Sequence, residues 1–251
     1  MIILRDTYIL MVRSLREAMR QPFIEVGNIF IPVFFFFVTI GSLQKVAGKA
    51  FGVDDWVGFQ LPVALLQAVA VGTAGSGLVT DMQRGYFDKL ALTPAPRISL
   101  ILGRMAADGV RGFVLSLVIL IVGFAAGTGL KAGPGGALVL LAIGTVFSLA
   151  YSGLGVSLAL KTGSNQAVQL SFLLFFPLIF LSPAFAPKEV FSGWLQFLAT
   201  INPITSVLEG CRSLVLEGWD AAALGKAFAA IAGMATLTVS MTGWAYRHRK
   251  V

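Results

Sequence analysis

Long stretches without a charged residue constrain the fold of this chain more than any other feature. They lie at 26–44, 56–80, 112–130, 132–160, 162–187, 190–208 and 227–246, and each is at least 19 residues long. About 20 apolar residues in a helix cross the hydrocarbon core of a bilayer. In lipid, a helix satisfies all of its own backbone hydrogen bonds. The sequence therefore predicts an all-α integral membrane protein.

The composition supports this class and excludes others. Charged residues make up 12% of the chain and the mean hydropathy is +0.84, whereas a soluble domain carries about 25% charged residues. The net charge is +7, but the basic residues are dispersed rather than gathered in the patch that nucleic-acid binding requires. We therefore predict no nucleic-acid partner. One cysteine and one histidine exclude a disulfide framework and a Cys/His zinc site, so we predict no metal.

The distribution of basic residues predicts the topology. Placing the N-terminus in the cytoplasm puts 13 of the 19 lysines and arginines on that side, with 6 of the 12 acidic residues. The positive-inside rule then places both termini in the cytoplasm. This arrangement has six transmembrane helices, at 26–44, 56–80, 106–128, 136–160, 165–183 and 224–244.

The remaining uncharged run, 190–208, contains Asn202-Pro203, and a residue before proline is disfavoured in a helix. A seventh crossing would also send the basic C-terminal tail outside. We therefore predict that 184–218 forms an extracellular re-entrant helical hairpin between helices 5 and 6, because irregular backbone is tolerated where protein or water surrounds it.

The first 22 residues predict an amphipathic helix in the cytoplasmic interface. One helical stripe is apolar, with Leu4, Tyr8, Met11, Val12, Leu15 and Met19. The other carries Arg5, Arg13, Arg16, Glu17 and Arg20. We expect the basic face to meet anionic lipid. The alternative is a basic leader that only fixes the orientation of the chain.

Catalytic motifs are missing from the sequence. It contains no G-x-x-x-x-G-K-[ST], H-E-x-x-H or G-x-S-x-G, which are the signatures of nucleotide binding, zinc proteases and serine hydrolases. We predict that the chain is not an enzyme. No predicted span carries an acidic residue at mid-depth, where Gln67 is the main polar group. This argues against a proton-coupled carrier, which needs buried carboxylates.

Two groups of charged residues near the membrane are candidate sites. Arg104, Asp108 and Arg111 have i, i+4, i+7 spacing, so we expect them to pair along one helical face at the cytoplasmic end of the third span. Glu209 and Arg212, at i, i+3, form a similar expected pair on the outer side. The alternative for both groups is local charge neutralisation at a helix end.

The stretch DMQRGYFDKLALTPAPRISLILGR, residues 81–104, resembles the coupling-helix region of ABC-2 type transporter permeases. The matching positions are Arg84, Gly85, Asp88, Lys89, Leu90, Thr93, Pro94, Gly103 and Arg104. The family often has Glu directly before the arginine, whereas this chain has Gln83, with Asp81 two residues earlier.

A second stretch, 181–218, is similar to the family's sequence between spans five and six. Pro187, Trp194, Leu195, Asn202, Pro203, Thr205, Glu209 and Arg212 carry this match. The amphipathic start, the six spans and the length also agree. The drug-exporting branch of the daunorubicin-exporter type looks closest, and the polysaccharide-exporting branch is similar in length.

The resemblance implies a permease subunit of a bacterial plasma-membrane exporter. It implies a dimer of permease subunits, identical or not, and a separate cytoplasmic ATPase that binds ATP and Mg and docks on a coupling helix at 83–93. Tyr86, Phe87 and Leu90 would supply an apolar anchor there, rimmed by Arg84, Asp88 and Lys89. The expected substrate is a lipophilic drug or a lipid. Export of polysaccharide or a lipid-linked glycan, a stand-alone channel or carrier, and a membrane scaffold are the alternatives.

Overall fold

The computed structural model describes residues 2–86, 89 and 96–248 of the chain. The helices within these ranges are α1 (Ile2–Met19), α2 (Pro22–Phe51), α3 (Trp56–Val69), α4 (Ala74–Gln83), α5 (Arg97–Ala125), α6 (Gly133–Thr162), α7 (Asn165–Phe180), α8 (Gly193–Ile201), α9 (Pro203–Arg212) and α10 (Ala221–Arg247). A 3₁₀ turn at Lys188–Val190 and a π-helical turn at Ser213–Glu217 complete them. No strand occurs in these ranges, so the predicted all-α class is confirmed.

Five helical stretches of the described chain are long and apolar enough to cross a membrane. They are Glu25–Phe51, Trp56–Gln83, Ile98–Ala125, Gly133–Thr162 and Ala221–Arg247. The fifth predicted span, 165–183, corresponds to the apolar helix α7, which has 16 residues. At 1.5 Å per residue α7 is about 24 Å long, somewhat short of a hydrocarbon core of about 30 Å.

The helix ends follow local sequence signals. Gly52 and Gly163, with φ of 65° and 63°, close α2 and α6 in the left-handed conformation that glycine adopts without strain. At the start of α10, the Asp220 carboxylate accepts hydrogen bonds from the backbone N–H groups of Ala222 and Ala223. These caps lie beyond the uncharged runs, and both α2 and α10 therefore extend past the predicted spans 26–44 and 224–244.

Helix α3 lies at the centre of the bundle, and every one of its residues except Gln67 is buried. Leu65 and Leu66 are fully enclosed and share one hydrophobic core with Phe147 of α6 and Phe175 of α7. The helix stops at Val69, and α4 starts at Ala74 after a short break. The predicted second span, 56–80, is therefore two helices.

Helices α6 and α10 pack side by side and run in the same direction. The hydroxyl of Thr238 donates to the carbonyl oxygen of Ala150 at 2.8 Å, and that of Thr242 donates to Gly153 at 3.0 Å. From the first bond to the second, the donor moves from residue 238 to 242 while the acceptor moves from 150 to 153, so both helices run the same way. The segment between these two helices must therefore return along the length of the bundle.

A second hydrophobic core marks one end of the bundle. It joins Leu10 of α1, Leu78 of α4, Leu100 of α5, Leu160 of α6 and Ala245 of α10. Charged side chains surround this core, and we call this part the charged end.

Candidate functional site

The predicted coupling helix lies only partly within the described residues. Phe87, Asp88, Leu90, Thr93 and Pro94 lie outside them. Of the rest, Arg84 and Lys89 are exposed at the end of α4.

Gly85, with φ of 67°, turns the chain away from α4. The backbone N–H of Lys89 donates to the carbonyl oxygen of Gly85 at 3.1 Å. Tyr86 is half-buried beneath Arg13 of α1, whose guanidinium carbon lies 4.1 Å from the ring centroid. The start of the predicted coupling segment therefore rests on α1.

Asp81, in the last turn of α4, is the centre of an ion-pair network. Its side chain is 2% exposed. Oδ2 accepts from Arg104 Nη2 at 2.6 Å and from Nε at 2.9 Å, while Oδ1 accepts from Arg13 Nη2 at 2.7 Å. Glu17 of α1 bonds to both arginines, at 3.0 and 3.2 Å. Three separate helices, α1, α4 and α5, are thus joined by charge-assisted hydrogen bonds.

The charge on Arg13 is maintained despite partial burial. Desolvation lowers its pKa, but the hydrogen bond to Asp81 and the charges of Asp81 and Glu17 outweigh this effect, so the pKa is raised overall. The predicted basic face of α1 toward lipid is therefore only partly realised. Arg13 and Glu17 turn toward the protein, and Leu4 and Tyr8 are 77% and 62% exposed.

Gly77 of α4 provides the space for the Arg104 guanidinium. A Cβ atom at this position would overlap Nη1 of Arg104. Arg104 is consequently 5% exposed and lies directly against the backbone of α4.

A second group of ion pairs lies at the break between α3 and α4. The Asp108 carboxylate accepts from the backbone N–H groups of Thr73 and Ala74 at 3.1 and 2.9 Å, and from the Thr73 hydroxyl at 2.9 Å. It thereby caps the start of α4, where a negative charge is favourable. Arg111 bonds to Asp108 at 3.2 Å and to Glu25 of α2 at 2.6 Å. Of the pairs predicted along α5, only Asp108–Arg111 forms, because Arg104 binds Asp81 and Glu17 instead.

We name the seven residues Arg13, Glu17, Glu25, Asp81, Arg104, Asp108 and Arg111 the charge cluster. They connect α1 and α2 with α4 and α5. The charge cluster thus joins four helices close to the segment that follows α4.

A groove of about 780 Å³ opens between α2 and α7, with the break between α3 and α4 behind it. Aromatic rings line it at Phe35, Phe172 and Phe176, and amides line it at Asn28, Gln67, Asn165, Gln166 and Gln169. None of its lining residues is charged. Gln67, the one incompletely buried residue of α3, thus faces the groove.

Two amides in the groove have buried atoms without a hydrogen-bond partner in the described part of the chain. These atoms are Nδ2 of Asn28 and Oδ1 of Asn165. Burying an unpaired polar atom costs about 1–3 kcal/mol, and a ligand or water that reached these atoms would recover this cost.

At the opposite end, Arg212 holds an irregular segment. Its Nε donates to the carbonyl oxygen of Phe59 at 3.1 Å and its Nη2 to that of Ala184 at 3.3 Å. The guanidinium carbon lies 3.4 Å from the Phe59 ring centroid. Glu209 is exposed, and no ion pair joins it to Arg212 within the described residues. The predicted Glu209–Arg212 pair is therefore not formed. Arg212 instead binds two backbone carbonyl oxygens and stacks on an aromatic ring.

The other predicted residues of this region lie on two short helices. Asn202 separates α8 from α9, caps α9 by accepting from the N–H of Ile204, and donates to the carbonyl oxygen of Leu178 at 2.6 Å. Pro203 is the first residue of α9, and Pro187 precedes the 3₁₀ turn. Trp194 of α8 is 67% exposed.

Comparison with known proteins decides the family. The profile of the ABC-2 type transporter family matches residues 5–216. The chain belongs to the ABC-2 type transporter family. Both stretches that carry the resemblance lie in the matched region, except the last two residues of 181–218.

Curated relatives of this ABC-2 permease include proteins named for drug resistance. A daunorubicin resistance ABC transporter permease protein of Streptomyces coeruleorubidus is 28% identical over 207 residues, which cover 78% of this chain and 70% of the relative. A probable doxorubicin resistance permease of Mycobacterium tuberculosis is 24% identical over 211 residues, covering 82% and 75%. A putative transport permease of Cyanophora paradoxa is 25% identical over 223 residues, covering 84% and 74%.

Four members of the permease's charge cluster were missed from the sequence as site residues. Arg13 and Glu17 were assigned to a lipid-facing stripe, Asp81 was noted only within the family motif, and Glu25 was not considered. The i, i+4 spacing of Arg13 and Glu17 was the available signal. Their partners on α4 and α5 lie 68 and 87 residues further along the chain, beyond the reach of any local pattern.

Proposed function

We propose that this ABC-2 permease is the membrane subunit of an ATP-driven exporter in the bacterial plasma membrane. Its proposed substrate is a lipophilic drug-like or lipid-type molecule. The observation that carries the proposal is the groove between α2 and α7. Amide groups facing hydrocarbon are unfavourable, so a polar and aromatic groove on a membrane bundle is best explained by a ligand path.

The lining of the groove favours one substrate class over another. It combines phenylalanine rings with uncharged amides and lacks lysine and arginine. A lipid-linked glycan carries phosphate groups, for which cationic side chains are the usual partners. An amphipathic molecule with rings and neutral polar groups fits better, and the names of the relatives from Streptomyces coeruleorubidus and Mycobacterium tuberculosis agree with this class.

The proposed energy source is a separate ATPase subunit that binds ATP and Mg. It would dock on the cytoplasmic face at 83–93, with Arg84 and Lys89 exposed to it. The contact of Tyr86 with Arg13, and of Arg13 with Asp81, supports a mechanical route from this segment into α1, α4 and α5. The charge cluster would then carry the motion toward the groove, because Thr73 belongs to the groove and binds Asp108.

A second permease copy is the proposed cover of the groove. Helix α2 exposes Phe30, Phe34 and Phe37 on another of its faces, and the amides between α2 and α7 need a polar or aqueous surrounding. A face-to-face dimer would enclose a path between two such grooves.

The proposed topology has six spans and places both termini in the cytoplasm. The parallel course of α6 and α10 supports a crossing by α7, because the chain must return between them. The segment 184–218, with its helix break at Asn202, would then be the extracellular re-entrant region.

Purification of the tagged permease with its cytoplasmic partner tests this function. We expect an ATP-hydrolysing subunit to co-purify and inside-out vesicles to accumulate doxorubicin only when ATP is supplied. Lys89→Glu should reduce co-purification of the ATPase, whereas Lys131→Glu, at an exposed lysine between α5 and α6, should not. If no ATPase is recovered even after crosslinking, the exporter proposal is wrong.

A second pair of variants tests the groove. Asn28→Leu should reduce doxorubicin accumulation about tenfold, as expected when one buried hydrogen bond to the substrate is lost. Gln196→Leu, at an exposed amide of α8 outside the groove, is the control. Equal accumulation by both variants would remove the groove from the path.

A further inference from the structure

A second groove lies at the charged end, between the last turns of α4, α6 and α10. It encloses about 570 Å³. Leu160 and Met82 provide apolar walls, and Gln83, Lys161, Trp244 and His248 provide polar and aromatic ones. Among the described residues, no acidic side chain lines it. We call it the basic groove.

Three side chains of the basic groove form an ordered stack. Lys161 Nζ lies 5.1 Å from the centre of the Trp244 ring, and the Trp244 and His248 rings lie 4.9 Å apart, tilted by 30°. His248 Nδ1 is 2.9 Å from the Trp244 carbonyl oxygen. The indole of Trp244 is thus close to both a lysine and an imidazole.

Lys161 of the basic groove differs from the arginines of the charge cluster. Arg13, Arg104 and Arg111 each bind a carboxylate. Within residues 2–86, 89 and 96–248, no carboxylate forms an ion pair with Lys161 or His248. A lysine beside a cavity, without an acidic partner among the described residues, is suited to an anionic ligand.

We propose that the basic groove binds the headgroup phosphate of an anionic phospholipid. Tryptophan is enriched at the level of lipid headgroups, and basic pockets between membrane helices bind such headgroups on the cytoplasmic side. Leu237 of α10, 62% exposed, lies seven residues before Trp244 and so about two turns away on the same face of the helix. It provides an apolar contact for the acyl chains.

Compensation of helix dipoles is the competing explanation for these cations. The groove lies at the carbonyl ends of α4, α6 and α10, where basic residues are favourable without any ligand. That explanation accounts for Lys161 but requires neither the cavity nor the stack with Trp244 and His248. The two explanations differ in whether the effect of Lys161 depends on lipid.

The test uses the full-length permease in nanodiscs of phosphatidylcholine, with and without phosphatidylglycerol. We expect phosphatidylglycerol to raise the Tm of the wild type and to be retained in native mass spectrometry. Lys161→Gln should weaken retention about fivefold, which corresponds to about 1 kcal/mol per lysine near an anionic membrane surface. Lys226→Gln, near the opposite end of α10 and also exposed, should leave retention unchanged.

Three outcomes would overturn the proposal. Equal retention by Lys161→Gln and Lys226→Gln would assign Lys161 to dipole compensation alone. Stabilisation by inorganic phosphate equal to that by phosphatidylglycerol would indicate a general anion site. Loss of a co-purifying protein from Lys161→Gln, with lipid retention unchanged, would make the basic groove a protein interface.

Discussion

Arg104 and Arg212 are both buried arginines on helices, but they are held in opposite ways. Arg104, at the charged end, binds carboxylates from α4 and α1. Arg212, at the other end, binds two backbone carbonyl oxygens and stacks on Phe59. They are 5% and 8% exposed, so the difference lies in the partners and not in burial.

The difference suggests different mechanical roles for the two ends. Ion pairs among α1, α4 and α5 join helices that are each complete, so the arginines can exchange carboxylates while the helices shift. One carbonyl group bound by Arg212 belongs to the buried start of α3, and the other belongs to the non-helical segment around Ala184. In a membrane, irregular backbone such as this segment needs a fixed hydrogen-bond partner. We therefore expect the charged end to move and the opposite end to stay rigid.

Asp81→Asn should have the largest effect, because it leaves the buried Arg104 and the partly exposed Arg13 without their shared carboxylate. Breaking one partner of a buried ion pair costs about 3–5 kcal/mol. We expect a loss of about 3 kcal/mol, since Arg13 is partly exposed. Unfolding by SDS in mixed micelles measures it, with Asp54→Asn, at an exposed carboxylate, as the control. A loss no greater than the control's would contradict the network.

Arg212→Met should lower the stability by about 2 kcal/mol, because the carbonyl oxygens of Phe59 and Ala184 each lose the hydrogen bond from the guanidinium. Gln60 continues to donate to Ala184 at 3.2 Å, which limits the loss. Arg212→Lys should restore little, because an ammonium group cannot reproduce the planar stacking of the guanidinium. Full recovery by lysine would show that charge alone matters at this end. The same unfolding assay applies, with Lys226→Met as control.

Gly77→Ala should displace the Arg104 guanidinium from Asp81 and cost about 1–2 kcal/mol, as overpacking does. Gly233→Ala is the matched control on α10, where an added Cβ meets nothing within 4 Å; it should be neutral or slightly stabilising. In the double variant with Asp81→Asn, the Gly77→Ala loss should shrink, because the two changes disrupt one contact. Strict additivity would separate Gly77 from the network.

Glu209→Gln should have the smallest effect, below about 0.5 kcal/mol, as expected for an exposed residue without a buried contact. This result would distinguish the exposed Glu209 of the structure from the i, i+3 ion pair between Glu209 and Arg212 that the sequence favours. A loss comparable to that of Arg212→Met in the same assay would restore Glu209 as the partner of Arg212.

Local patterns in the sequence were sufficient for the class of fold. The uncharged runs predicted that long helices occur in the regions 25–51, 98–125, 133–162 and 221–247, because burying charge in lipid is costly wherever the residue lies. They did not predict all of the bounds, since the first helix ends later and the second and fourth begin earlier than the runs. Asn202-Pro203 predicted the break between α8 and α9, because proline restricts its own neighbour. The break between α3 and α4 had no such signal, since it depends on Asp108 of another helix to cap α4.

The sequence by itself thus determined an all-α membrane protein with an irregular segment before its last helix, and the resemblance of two motifs determined its family. Only the tertiary structure decided which charges meet. Arg104 and Arg212 both had a nearby acid at helical spacing, yet each binds groups more than 20 residues away. A buried guanidinium has several donors in a fixed plane, and the packing of separate helices, rather than spacing along one helix, brings acceptors into that plane.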